Sequence, residues 1–239
     1  MPVHRSTNPP SSVHRRRRLR LLVCAGGVLG LLLFALLAVV LRENSDGAAV
    51  PVVQHHADGP PWRHGQSNAR FVLTLYADLE CPFCKDYYPS LKTWIDQQAD
   101  VSLQWQHLPL PAHEPAASAL ARVAECAGEI GGNRAFFDAV GWLYQHTSSS
   151  GQGLPDGVRY PGLTPDIEQC LASEQPDAVI RAQAAEAMSS GVTATPSVRL
   201  HDQQTGRAFV LQGPVAGDSL LSAMDMLASD AVLQNADGP

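Results

Sequence analysis

Charge and aromatic rings are scarce in this chain. Charged residues make up 17% of its 239 residues and aromatic residues 6%, while hydrophobic residues reach 45%. That balance excludes a disordered polyelectrolyte and fits a globular body. Acids are missing from residues 1–41, which carry six arginines (Arg5, Arg15, Arg16, Arg17, Arg18 and Arg20). The remainder holds 11 Lys plus Arg against 23 Asp plus Glu, a net charge of -12. A body so acidic excludes an extended nucleic-acid surface. No internal repeat is present. Cysteine is limited to five residues, and only Cys81 and Cys84 are closely spaced. Without a second such pair, or two histidines at regular spacing, the usual zinc pattern is absent.

What the N-terminal part does have is an apolar run. From Leu21 to Leu41 no charged residue occurs. At about 1.5 Å per residue this run spans a bilayer core. The arginines precede it and Glu43 and Asp46 follow it. Arg-rich flanks stay in the cytoplasm, so the body is expected outside. A cleaved signal peptide has a shorter apolar core and a small-x-small site; the sequence after Val40 offers neither, so an uncleaved anchor is expected. Cys24 lies inside this run as a small apolar residue. Residues 1–20 are then a cytoplasmic segment and 21–41 a transmembrane anchor. Residues 42–66, rich in Gly, Pro, Ala, His and Asp, read as a tether. His55, His56 and His64 are incidental to it.

The body reads as an α/β layered design. Phe71 to Ala77 is an apolar, β-rich run and a buried strand. A helix is expected from Pro82 to about Gln98, interrupted by Pro89. Val101 to Leu108 alternates and reads as a second strand. Ala116–Glu129 and Arg134–His146 read as two helices separated at Gly131-Gly132. A Gly-rich loop covers 148–163, and helices are expected at Pro165–Ser173 and Pro176–Ser190. Ser197–Leu200 and Arg207–Leu211 form a hairpin around a turn at Gly206. A helix over Ala216–Ala228 closes the domain.

Cys81-Pro82-Phe83-Cys84 sits between the first strand and its helix. Two cysteines three apart at a helix start lie on one face and can bridge. Cys81 there meets unpaired N–H groups and the positive end of the helix dipole, which favour thiolate. Thiolate is the attacking species in disulfide exchange. Cys81 is expected as an exposed nucleophile and Cys84, more buried, as the resolving thiol. Glu80 is expected to point to solvent, where negative charge suits the helix start. The alternatives are a zinc half-site, which His107 and His113 could join only through the fold, and a structural disulfide across a loop too small to stabilise much.

The octapeptide Asp78-Leu79-Glu80-Cys81-Pro82-Phe83-Cys84-Lys85 resembles the active-site stretch of DsbA-like thioredoxin-fold thiol–disulfide oxidoreductases. Leu108-Pro109-Leu110-Pro111-Ala112-His113 is similar to the approach to that family's helical insertion. Glu125-Cys126-Ala127 and Arg134-Ala135-Phe136-Phe137 resemble its interior. Gly191-Val192-Thr193-Ala194-Thr195-Pro196-Ser197 resembles its cis-proline loop. The resemblance implies a thioredoxin fold with a helical insertion between its β-α-β and β-β-α halves. Residues 67–112 are the first half, 113–191 the insertion, 192–230 the second half and 231–239 a tail. It also implies that Thr195 and Pro196 lie against the cysteine pair. Phe83 departs from strongly oxidising relatives, which carry a histidine there; Phe83 cannot donate a hydrogen bond to a thiolate. Cys126 and Cys170 both fall in the insertion. In an oxidising compartment they are expected to form a structural disulfide contributing roughly 4 kcal/mol in the chain-entropy model; two buried thiols are the alternative.

The reading that results is a membrane-anchored, extracytoplasmic enzyme that introduces disulfides into exported proteins. Its redox-active disulfide Cys81–Cys84 is its only cofactor, with no metal. A membrane redox partner recharges it, and nucleic acid is not a partner. A reductase or isomerase, or a tethered chaperone without redox activity, are the competing readings.

Overall fold

A computed structural model describes residues 59–236 of the chain, with side chains through 229. The apolar run 21–41 and its arginine flank lie outside the described residues. Among the described residues no helix is long and apolar enough to cross a membrane.

The elements follow the order β1 (Arg63–Gly65), β2 (Phe71–Ala77), α1 (Pro82–Asp96), β3 (Val101–His107), a short 3-10 turn (Pro111–His113) and α2 (Ala116–His146). Then come α3 (Pro165–Leu171), α4 (Gln175–Ser189), β4 (Ser197–Asp202), β5 (Ala208–Gln212) and α5 (Gly217–Ala236). The five strands form one mixed sheet in the order β1-β3-β2-β4-β5. β2 is parallel to β3 and antiparallel to β4. All its residues are buried, as a central strand covered on both faces requires. This is the β-α-β and β-β-α arrangement of the thioredoxin fold, with α2, α3 and α4 inserted between the halves.

Several boundaries differ from the sequence reading for physical reasons. α1 runs through Pro89 without breaking. α2 spans Ala116 to His146 as two helical stretches joined across a kink at Gly132, whose φ of 71° and ψ of -170° are not helical. Glycine tolerates that conformation, and the Gly131-Gly132 pair separates the two helical stretches where the sequence reading placed the break. The final helix extends past Ala228 to Ala236.

The end of the expected tether belongs to the fold. Trp62 is 1% exposed and stacks on Phe136 with ring centroids 5.4 Å apart. Its carbonyl accepts from the Trp105 N–H at 2.9 Å, and its indole N–H donates to Glu125 at 2.9 Å. Gly128 lets the ring in, since a Cβ there would lie 2.6 Å from it. Residues 63–65 then pair with β3. A Gly- and Pro-rich composition conceals the large buried area of one tryptophan.

Arg70 closes the far end of the sheet. Its guanidinium donates to both carboxylate oxygens of Asp202, at 3.1 and 2.7 Å. The Asp202 side chain is wholly buried. Arg70 holds this carboxyl down at about 2 by hydrogen bonding, against the opposing effect of burial. A depressed folded-state pKa stabilises the protein fully above the unfolded value of about 3.9, and that contribution is lost as pH falls towards the folded value. Asp202→Asn is therefore expected to lower the unfolding free energy by about 2 kcal/mol near neutral pH. The gap from the parent protein should narrow below about pH 4. Urea unfolding of both proteins across that range checks it; a gap that does not change with pH removes the ion pair as its cause.

Candidate active site

The site is built where β2 ends and α1 begins. Cys81 occupies the N-cap position with extended backbone (φ -76°, ψ 119°), and Pro82 opens the helix, where its missing N–H costs nothing. The Cys81 N–H donates to the Asp78 carbonyl at 3.1 Å, and the Lys85 N–H to the Cys81 carbonyl at 3.0 Å. Cys81 and Cys84 are both free thiols. The Thr195–Pro196 peptide bond is cis. It brings the Thr195 carbonyl to 3.5 Å from the Cys81 sulfur. Cys81, Cys84, Thr195 and Pro196 are thus one constellation. Phe83 projects from it and is 64% exposed.

The expected contrast in exposure is small: Cys81 is 3% and Cys84 1% exposed. The contrast lies in electrostatics. The Cys84 thiol hydrogen-bonds to the Cys81 sulfur and does most to lower its pKa, to about 6. The Thr195 side chain and the N–H groups of Cys84 and Phe83 add to this against the cost of burial. The Thr195 hydroxyl oxygen is buried and has no hydrogen-bond partner. Cys84 moves far upward, chiefly by burial and then by its bond and charge interaction with Cys81. One thiolate beside one retained thiol is the arrangement a dithiol exchanger needs: an attacking sulfur and a proton-holding neighbour.

The sequence reading misplaced Glu80. It is wholly buried rather than solvent-facing. Its carboxylate accepts the Thr147 hydroxyl and, at 3.0 Å, the Gly153 N–H. The reason is local: the loop after α2 folds over the redox turn and supplies donors where solvent was expected. Asp78 is buried too, accepting from the Glu80 N–H, the Leu110 N–H and His113 Nδ1 at 2.7, 2.8 and 2.7 Å. These residues escaped the sequence reading. The one signal was two acids inserted between an all-apolar strand and the cysteines. His107, weighed as a zinc ligand, faces Glu125 at 3.1 Å instead. Among the described residues no group of three or more His, Cys, Asp or Glu is placed to hold a metal.

Cys126 and Cys170 form a disulfide with Cα atoms 5.7 Å apart. It sits in a separate apolar cluster with Ala127, Ala139 and Ile167, apart from the one that holds Cys81 and Cys84. Reduced protein titrated with iodoacetamide is expected to show half-maximal alkylation of Cys81 near pH 6, with Cys84 unmodified. Peptide mass spectrometry checks it; half-reaction at the ordinary cysteine value of 9.0 would mean that Cys81 is not activated.

A thioredoxin family model matches residues 57–213. The structure of Pseudomonas aeruginosa DsbA2 is similar at 43% identity and a TM-score of 0.68, covering 71% of this chain and 95% of that one. A thioredoxin-like oxidoreductase of Silicibacter pomeroyi shares the fold at 23% identity, TM-score 0.56, with coverage of 70% and 91%. So does the thiol–disulfide exchange protein α-DsbA2 of Wolbachia pipientis at 16% identity, TM-score 0.57, with coverage of 70% and 86%. Among curated proteins, the Na(+)/H(+) antiporter NhaA 3 of Salinispora tropica is 34% identical over 82 residues, 34% of this chain. The chain spans only 12% of that antiporter's length, and ion transport is a property of that protein. The octapeptide around Cys81, the cis-proline loop beside it, the sheet order and the extent of the match to DsbA2 converge: this chain belongs to the DsbA-like family of thioredoxin-fold thiol–disulfide oxidoreductases.

Proposed function

We propose that this enzyme introduces disulfides into exported proteins, with Cys81 as nucleophile and Cys84 as resolving thiol. The observation that carries the reading is the unequal sulfur pair. A Cys81 thiolate favoured by its surroundings makes Cys81 a good leaving group, and a stabilised reduced form makes the oxidised form a stronger oxidant. In the forward reaction a substrate thiolate attacks Cys81 of the Cys81–Cys84 disulfide and releases Cys84, which takes up a proton. A second substrate thiolate then attacks the mixed disulfide and releases Cys81. The substrate loses two electrons and two protons, and the enzyme is left as the dithiol. A membrane redox partner reoxidises it.

The surface around the site supports a polypeptide substrate. The Phe83 ring stands in solvent between the two cysteines. Along α1, one to three turns beyond Phe83, a cavity of about 450 Å³ opens between Tyr87, Leu91, Trp94, Pro214, Val215 and Leu220. Its apolar walls suit side chains of an incompletely folded chain. The Arg-flanked run 21–41 supports a single-pass anchor with the catalytic domain outside the cytoplasm. The periplasmic thioredoxin-like protein of Salmonella enterica shares the fold at 21% identity and a TM-score of 0.51. A disulfide between Cys126 and Cys170 suits an oxidising compartment.

The reduction potential tests the direction. Equilibration of the domain with glutathione buffers is expected to give a value between about -250 mV and about -120 mV, the latter that of the strongest disulfide donors. A value at or below about -250 mV would make the enzyme a reductant and overturn the oxidase reading. Cys81→Ser is expected to abolish thiol oxidation, and Cys84→Ser to accumulate mixed disulfides visible on non-reducing gels. Aggregation suppression with no redox activity in the parent protein would favour a tethered chaperone instead.

A further inference from the structure

Two buried carboxylates precede Cys81, and together they use every strong acceptor they have. Asp78 takes the Glu80 N–H on one oxygen, and the Leu110 N–H and His113 Nδ1 on the other. Leu110 and His113 lie immediately before α2. The Asp78 carbonyl also accepts the Tyr144 hydroxyl, at 3.2 Å, from the last turn of α2. Glu80 engages the segment that follows α2. Its carboxylate takes the Thr147 hydroxyl and the Gly153 N–H, and its carbonyl takes the Ser150 N–H at 2.7 Å. From the other side of the cysteines, the Lys85 ammonium donates to the Thr147 carbonyl at 2.7 Å.

The two segments also touch each other. A Cβ on Gly151 would meet the His113 Cα at 3.1 Å, and Gly151 has a φ of +81°. Ser149 and Ser150 carry positive φ as well, at 63° and 56°. The loop therefore holds an uncommon backbone shape in order to present its donors to Glu80. Burying two carboxylates is costly, and apolar side chains of similar volume could fill the same space. Their placement one and three residues before the nucleophile, each with a full set of partners, points to a role in the chemistry.

We propose that Asp78 and Glu80 are positioning residues for thiol–disulfide exchange at Cys81, clasping the redox turn between the two ends of the long insertion helix. The N–H groups that stabilise a Cys81 thiolate belong to Phe83 and Cys84. They are useful only while the turn holds the sulfur over the helix start, and a shift of about 1 Å is enough to spoil such alignment. The insertion thereby becomes part of the catalytic machinery as the jig that sets the sulfur.

The sign of one measurement separates this role from its rivals. By charge alone, two nearby carboxylates oppose a thiolate, so neutralising either would lower the Cys81 pKa. A positioning role gives the opposite sign, because an amide in place of the carboxylate turns an NH₂ towards a donor and opens the clasp. The experiment is pH-dependent alkylation of Cys81 in the whole chain, resolved by peptide mass spectrometry, for Asp78→Asn and Glu80→Gln. The expected result is an upward shift of about one pKa unit or more, a tenfold loss of thiolate at acidic pH, with the circular dichroism spectrum retained. An unchanged or lowered value in the folded variants overturns the proposal. If either variant does not fold, Thr147→Val and His113→Phe decide it from the partner side: a rise supports the clasp and no change overturns it. The assignment of Cys81 as nucleophile, on which this rests, is read separately from the parent protein, where an ordinary thiol pKa would sink both.

Discussion

The electrostatic coupling of the two sulfurs, one helical turn apart, is the interaction on which the rest of this molecule depends. It lets a single proton serve two thiols, lowering one and raising the other. That division works only in a water-poor place, since solvent would supply competing donors to both sulfurs. The fold provides it: β2 is fully buried, the cis-proline loop covers the sulfurs from one side, and the loop after α2 wraps the turn before Cys81 from another. Burial and activation usually oppose each other for a thiolate. Here the donors at the helix start and the second cysteine outweigh the desolvation, so Cys81 is at once buried and acidic.

The helical insertion has to be held firmly against such a site, and three unlike contacts do this. Trp62 and Phe136 join the first segment of the fold to α2 by stacking. Glu125, on α2, receives the Trp62 indole N–H and faces His107 at the end of β3. The Trp105 indole N–H donates to His107 Nδ1 at 3.1 Å, and His107 Nε2 lies 3.1 Å from a Glu125 carboxylate oxygen. The third contact is the pair of carboxylates before Cys81. The Cys126–Cys170 disulfide works at a different level, tying α2 to α3 within the insertion. It stiffens the insertion itself, while the polar contacts fix the insertion to the sheet.

Much of this was legible in the sequence because local rules decided it. The apolar run at 71–77, the Cys-Pro start of α1 and the Gly206 turn each carry their own physical signature, and the strand, helix and hairpin stand where those signatures fall. The pairing of Cys81 with Thr195 and Pro196 was legible only through resemblance, since no local rule joins residues so far apart. Trp62 and Glu80 were misread for a common reason. Each lies in a stretch whose composition favours solvent, and each is buried by a partner distant in sequence: Phe136 for one, Thr147 and Gly153 for the other. Gly132 shows a local rule holding: the backbone leaves helical geometry at the Gly131-Gly132 pair, where the sequence places the break.

The acids before Cys81 sharpen the electrostatic argument. A carboxylate beside a thiolate is unfavourable by Coulomb interaction, yet the largest influences on Cys81 are the neighbouring Cys84 thiol, burial, the Thr195 side chain and the N–H groups at the helix start. The carboxylate of each is surrounded by N–H and O–H donors. Donors that would otherwise be left over at the ends of α2 and its flanking loops are consumed there. Donors at this site therefore divide into two sets: N–H groups at the start of α1 serve the sulfur, and N–H, hydroxyl and imidazole groups from around α2 serve the carboxylates. Such a separation lets a strongly acidic body carry an activated thiolate without repelling it.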